Sequence, residues 1–86
     1  MYHLDVAPHI DKIFLKLKKK DSATYFQLKK KIHEIRTDPY HYKPLRGEFH
    51  GAYRVHIRSS VLIFEIDESQ MSVRVIGFDH HDRIYR

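Results

Sequence analysis

The sequence predicts an α+β fold: an N-terminal strand, an antiparallel helical hairpin, then a three-stranded antiparallel meander, all within one domain spanning residues 1–86. Three observations predict it. Apolar residues recur at helical spacing through the first half and alternate in the second. A single charged break, "KKKD", divides the helical half in two. The length, 86 residues, leaves no room for a second core.

The elements follow in order. "YHLDV" (Tyr2 to Val6) alternates as a short strand does. Pro8 suits a first helical turn, and Ile10, Ile13, Phe14 and Leu17 put one apolar stripe on residues 8–19. Asp21 or Ser22 can cap a second helix with the stripe Tyr25, Leu28, Ile32 and Ile35. Pro39 ends it, because the residue before a proline avoids helical geometry. Then the period changes. "AYRVHIR" puts Tyr53, Val55 and Ile57 on one face of a strand and Arg54, His56 and Arg58 on the other. "SS" allows a turn, "VLIFEID" reads as a strand covered on both faces, and "MSVRVIGF" makes the last strand. Packing the hairpin on one face of the sheet leaves Arg54, His56 and Arg58 on the open face.

Composition narrows the function classes. A domain this small buries only roughly 60–65% of its unfolded surface and is marginal without help. Disulfides are not that help, since there is no cysteine. No apolar run approaches the ~18 residues of a membrane span, and "MYHLDVAPHI" lacks the basic and apolar regions of a signal peptide. The expectation is a cytoplasmic protein with no membrane partner. Sixteen Lys and Arg against eleven Asp and Glu give +5, with eight histidines besides. Such charge favours polyanions, although a solvated basic surface also accounts for it.

The chemistry-bearing residues gather in three stretches. Arg54, His56 and Arg58 make a cationic groove wall: guanidinium forks onto phosphate, and imidazole exchanges protons near neutral pH. The loop before them, "YHYKPLRGEFHGAYR", adds Lys43, Arg46 and His50 among aromatics, which either stack on unpaired bases or cap the core. The tail, "FDHHDRIYR", supplies His80, His81, Arg83 and Tyr85 directly after the last strand. A strand beside the Arg-His-Arg strand delivers both histidines to one sheet edge, unless they are a structural pair with one inward and one outward. Adjacent histidines cannot chelate one metal as a helical i, i+4 pair can, and no cysteine completes a zinc set, so no metal or other cofactor is expected.

The element order, "PLRGEFHGAYRVHIRSSVLIFEID" and "GFDHHDRIYR" together resemble the RelE/ParE superfamily of toxins from toxin–antitoxin modules. The resemblance covers nearly the whole chain. It implies a fold similar to microbial ribonucleases, cleavage of mRNA in the ribosomal A site, and neutralisation by a partner antitoxin. Arg54, His56 and Arg58 match the strand of basic catalytic residues, and His56 matches the histidine of the YafQ branch. His81 matches that branch's tail histidine, Tyr85 the terminal aromatic, and Lys43 the place of another histidine. Two positions depart: Val61 stands where RelE has an arginine, and Ser60 where the YafQ branch has an aspartate. On this resemblance His56 is the base, His81 the acid, Arg58 and Arg54 the phosphate clamp with Lys43 or Arg46 as helpers, and Tyr85 stacks on a base or binds phosphate. The rival readings are a ParE-like gyrase inhibitor, which cuts nothing, and a catalytically degenerate RNA-binding module.

Overall fold

The chain begins with β1 (His3–Val6) and turns through Ala7 into helix α1 (Pro8–Lys20), with Pro8 in the first turn where its missing N–H costs nothing. The computed structural model describes residues 1–47 and 51–84. Helix α2 (Ser22–Thr37) starts at Asp21, whose carboxylate accepts the Thr24 backbone N–H at 3.2 Å and its hydroxyl at 2.6 Å. Those two bonds hold the Asp21 carboxyl below the usual carboxylate range, with the Arg58 guanidinium a lesser contributor. Asp38 closes α2, and Pro39 opens a short 3₁₀ turn, Pro39–His41.

Four more strands follow: β2 (Lys43–Pro44), β3 (Ala52–Ile57), β4 (Ser60–Asp67) and β5 (Ser72–His80), ending in the helical turn α3 (His81–Ile84). The sheet order is β1-β5-β4-β3-β2; β3, β4 and β5 form the expected antiparallel meander. Two features add to that expectation. β1 pairs in parallel with β5, and the two-residue β2 lines the outer edge of β3.

The hairpin covers one face. Ile10 and Phe14 of α1 and Leu28 and Ile35 of α2 pack with Val55, Ile57, Leu62, Phe64, Val73, Val75 and Phe78 in one core. Phe64, fully buried, takes Tyr53 as a stacked neighbour and Tyr42 edge-on. The alternation read in the sequence therefore does place Val55 and Ile57 inward and His56 outward.

The second face is less open than its polar strand residues suggest. Val61 and Ile63 of β4 are as buried as the main core, because "VLIFEID" faces apolar layers on both sides. They join Ala52 in a small second cluster against Leu45, Ile76 and Ile84. An irregularity in the β4–β5 register at Ile63/Phe64 accompanies Ile76, which packs on this side. The tail lies against Gly77, where an added Cβ would stand at an ordinary contact distance of 3.7 Å from the Ile84 Cδ1. Val61, pairing with His56, thus fills an apolar layer in this chain.

Candidate functional site

β2 stops after two residues, so residues 55–57 of β3 continue without it. At that notch lies a groove of about 350 Å³ lined by Lys31, His41, Tyr42, Lys43, Arg54 and His56. Lys43 and Arg54 stand directly opposite each other on adjacent strands. Two cations in that register make a pair to which an anion can bind. Among the described residues, no carboxylate lines the groove. The Tyr42 phenol is pushed up to about 12, first by burial and then by Glu34, which accepts its hydroxyl at 3.3 Å. At neutral pH Tyr42 therefore donates a hydrogen bond and does not act as a base.

Arg58 lies elsewhere than the strand pattern predicts. The pairing of Ile57 with Ser60 makes Arg58 and Ser59 the hairpin turn, one residue earlier than "SS" suggests. Arg58 has φ 57°, the left-handed value that a two-residue hairpin demands at its first position and that glycine meets without steric cost. The turn carries Arg58 off the face of Arg54 and His56, towards α2. There it lines an adjoining cleft with Gln27, Lys31 and His56. His56 and Lys31 border both clefts, so the two open onto one another at the histidine.

The tail also differs from a simple strand. β4 lies between β3 and β5, so β5 is not the neighbour of the His56 strand. His80 ends β5 opposite Ser60, and His81 begins α3. The change of geometry at that point folds the chain back over the second face. The His81 backbone N–H donates to the Ser59 carbonyl at 2.9 Å, stitching the tail to the Arg58–Ser59 turn. The result places the His81 ring 5.4 Å from the His56 ring, centroid to centroid, tilted by 31°. His80 is held apart, its Nδ1 accepting the Asp82 backbone N–H at 3.2 Å.

Asp79 anchors this turn. Its carboxylate accepts the His80 N–H at 2.7 Å and the Arg83 Nε–H at 2.9 Å. Burial would raise the Asp79 carboxyl, but the bonds from Arg83 and His80 outweigh it and hold the group below its ordinary value. Arg83 is thereby engaged at the anchor. Ile84 seats the far end of the turn on the second apolar cluster.

The structure therefore brings together His56, His81, Arg54 and Lys43, with Arg58 in the adjoining cleft. Arg46 is exposed beyond β2 and lines neither cleft. His50 and Tyr85 lie outside the described residues. Lys31 and Tyr42 were missed by sequence reasoning. Lys31 stands three residues after Leu28 and four before Ile35, a spacing that puts it on the flank of the buried stripe. That spacing was the available signal. Among the described residues, no cluster of three or more His, Asp or Glu side chains is disposed to hold a metal ion.

The arrangement is a groove with cations on its walls and two imidazoles at one end, on a five-stranded sheet backed by a helical hairpin. Known proteins share the fold. The family model for the ParE toxin of type II toxin–antitoxin systems, parDE, matches residues 2–85. The chain belongs to the RelE/ParE family of toxins. A protein of Methanocaldococcus jannaschii named "Putative toxin RelE4" is 44% identical over 100% of this chain and 93% of its own length. An uncharacterised protein of Methanosarcina mazei is 40% identical over 99% of this chain and 100% of its own. Among solved structures, the intact E. coli RelBE toxin–antitoxin complex contains a chain with TM-score 0.79 and 29% identity, covering 96% of this chain and 100% of that one. The isolated E. coli RelE toxin aligns with TM-score 0.78 and 25% identity, covering 99% and 92%. No helix of the described residues is long and apolar enough to cross a membrane.

Proposed function

We propose that this chain is the toxin of a toxin–antitoxin pair and an endoribonuclease that cuts mRNA at the ribosomal A site in the cytoplasm, without a metal or other cofactor. One observation carries the reading: the tail turn sets His81 beside His56, on a groove walled by Arg54 and Lys43. RNA cleavage needs a base for the 2′-hydroxyl proton, a cation for the charge growing on the phosphoryl oxygens, and an acid for the leaving 5′-oxygen. His56 takes the proton and the 2′-oxygen bonds to phosphorus. The bond from phosphorus to the 5′-oxygen breaks as His81 protonates that oxygen. The products are a 2′,3′-cyclic phosphate and a 5′-hydroxyl. Arg54 and Lys43 face the phosphate, Arg58 reaches it from the adjoining cleft, and Tyr42 offers a neutral donor. Tyr85, Arg46, His50, His80 and Arg83 remain candidates for contacts to the RNA outside this centre. A cognate antitoxin is the expected protein partner, as in the E. coli complex that the chain resembles.

The test compares His81→Ala and His56→Ala with the wild type on translating ribosomes, read by primer extension. Each variant is expected to lose on the order of 10²–10⁴ in cleavage rate, the share of one positioned proton donor or acceptor, with an unchanged thermal midpoint. His80→Ala is expected to lose much less. Full cleavage by His81→Ala overturns the assignment, and gyrase inhibition without any RNA cut would give the lead to the ParE-like reading.

A further inference from the structure

A second cluster of bonded side chains lies at the end of β4 opposite the Arg58–Ser59 turn. Glu68 follows β4, and its Oε1 accepts two phenols, Tyr2 from the N-terminal segment and Tyr40 from the 3₁₀ turn, the latter at 2.6 Å. These partners stand 66 and 28 residues away along the chain. Both phenols are pushed up from their ordinary value, first by the bond to Glu68. The bonds from Tyr2 and Tyr40 in turn hold the Glu68 carboxyl below the usual carboxylate range. At neutral pH the acceptor is therefore charged and both donors keep their protons, which makes the stronger class of hydrogen bond. None of the three residues lines either cleft beside His56.

Two of the three parts are stiff. The Asp67 Oδ1 accepts the Ser69 hydroxyl at 2.7 Å and the Gln70 N–H at 3.3 Å, so the turn that carries Glu68 is braced from within. Tyr2 is tied to α2 in both directions: its N–H donates to the Arg36 carbonyl at 2.9 Å, and the Arg36 Nε–H donates to its carbonyl at 2.7 Å. The third part is weak on its own. In the three-residue turn Pro39–His41, the His41 N–H reaches the Asp38 carbonyl at 3.3 Å, a long bond in a helix type of poor geometry. Yet this turn carries the groove wall. His41, Tyr42 and Lys43 follow Tyr40 directly, and all three line the groove beside His56. Beneath the wall a row of rings closes on itself: Tyr40 stands edge-on to Tyr53, Tyr53 stacks on Phe64, and Phe64 meets Tyr42 edge-on.

We propose that Glu68 is a positioning residue for the groove: braced by Tyr2 and acting through Tyr40, it fixes the wall from His41 to Lys43 against which the RNA strand lies. What the wall binds rests on the ribonuclease reading; that Glu68 holds it does not. Tyr42 has its own restraint in Glu34, and the short β2 holds Lys43 opposite Arg54, so Tyr40 is the tether on the other side of the exposed His41. A wall already in place when substrate arrives spares the cost of ordering it on binding. His56 and His81 stand on β3 and on the tail, neither of which the clamp touches. Its loss therefore falls on substrate binding and not on proton transfer.

Three variants of the full chain test this. Tyr40→Phe removes one phenol and keeps the ring, Glu68→Ala removes the acceptor of both, and Glu68→Gln keeps an oxygen that can accept. The first measurement needs no RNA: hydrogen exchange at the Leu45 amide, which holds the far end of the wall to the Ala52 carbonyl at 2.8 Å. Exchange there is expected to quicken roughly tenfold in Tyr40→Phe and Glu68→Ala, while the amides of Leu62 and Val75 in the core strands exchange as before. The second is cleavage on ribosomes programmed with a short mRNA. KM is expected to rise roughly tenfold in the same two variants with kcat within about twofold of the wild type, and Glu68→Gln should recover most of the loss. Unchanged exchange at Leu45 in both Tyr40→Phe and Glu68→Ala overturns the inference, whatever happens to RNA. Faster exchange with an unchanged KM, or a loss confined to kcat, overturns it as well and leaves Glu68 a purely structural residue. A wild type that cuts no RNA refutes the ribonuclease reading instead, and the exchange rates alone then decide whether Glu68 holds the wall.

Discussion

The two faces of the sheet are built for different ends. On the hairpin side, two amphipathic helices press their stripes onto seven inward strand residues of β3, β4 and β5, and nearly all the large buried side chains collect there. On the other side three buried residues and a four-residue turn make a thin layer, and beside it stand the imidazoles and guanidinium groups. Stability resides on the first face, and the proposed chemistry lies beside the second. The separation lets the groove keep polar and conformationally costly groups, such as Arg58 at φ 57°, because the main core does not depend on them.

Changing one buried residue on each side is the hardest test of this contrast. Phe64→Ala removes a fully buried ring and its two aromatic contacts, and about 3–5 kcal/mol of stability should go with it. In a domain of this size that is enough to unfold most of the population at ambient temperature, visible by circular dichroism. Ile84→Ala should separate the faces. Ile84 is half-buried, so the loss of stability stays below ~2 kcal/mol, while a loosened tail lets His81 drift and lowers cleavage by roughly tenfold. Equal losses of stability from both variants would mean that the second face is as structural as the first.

Acid offers a finer probe of the same boundary. The Asp79 carboxyl is held below its ordinary value in the folded chain, so its contribution is present at neutral pH and above the unfolded value of ~3.9, and is lost as pH falls through the folded value. The tail should therefore release in acid before the sheet does, seen as early loss of hydrogen-exchange protection at the His81 amide. Asp79→Asn should show that loss already at neutral pH. The smallest expected effect is at Arg58. Arg58→Gly removes the penalty of the left-handed conformation, and stability should hold or rise by up to ~1 kcal/mol, while cleavage falls if the guanidinium steadies the phosphate. A thermal midpoint lowered by several degrees would place Arg58 among the structural residues.

The main lines of the fold could be read from periodicity because each element agrees with its neighbours. The stripe at Ile10, Phe14, Leu28 and Ile35 is where the buried helix residues are, and the alternation at Val55 and Ile57 sets which face of β3 turns inward. What the pattern could not show depends on contacts far apart in the chain. A two-residue strand such as β2 has no period to detect. The parallel pairing of β1 with β5 leaves no turn between them to announce it. The hairpin turn was misread by one residue because Arg is an unusual choice at positive φ, where Gly or Asn gives the signal. At the site, His56 and His81 were legible as reactive types, but their proximity depends on the chain turning helical at His81, and Lys31 reaches the groove from a helix read only for its core.

The pairing of β1 with β5 has a consequence for the birth of the protein. His3 finds its partner at Ser72, and Val6 at Val75, so β1 waits for β5. A growing chain can form the hairpin early from local contacts, but β1 gains its partner only when β5 has emerged. The tail that seats His81 beside His56 arrives later still. A chain that stops short of β5 thus has neither the closed sheet nor His81 beside His56.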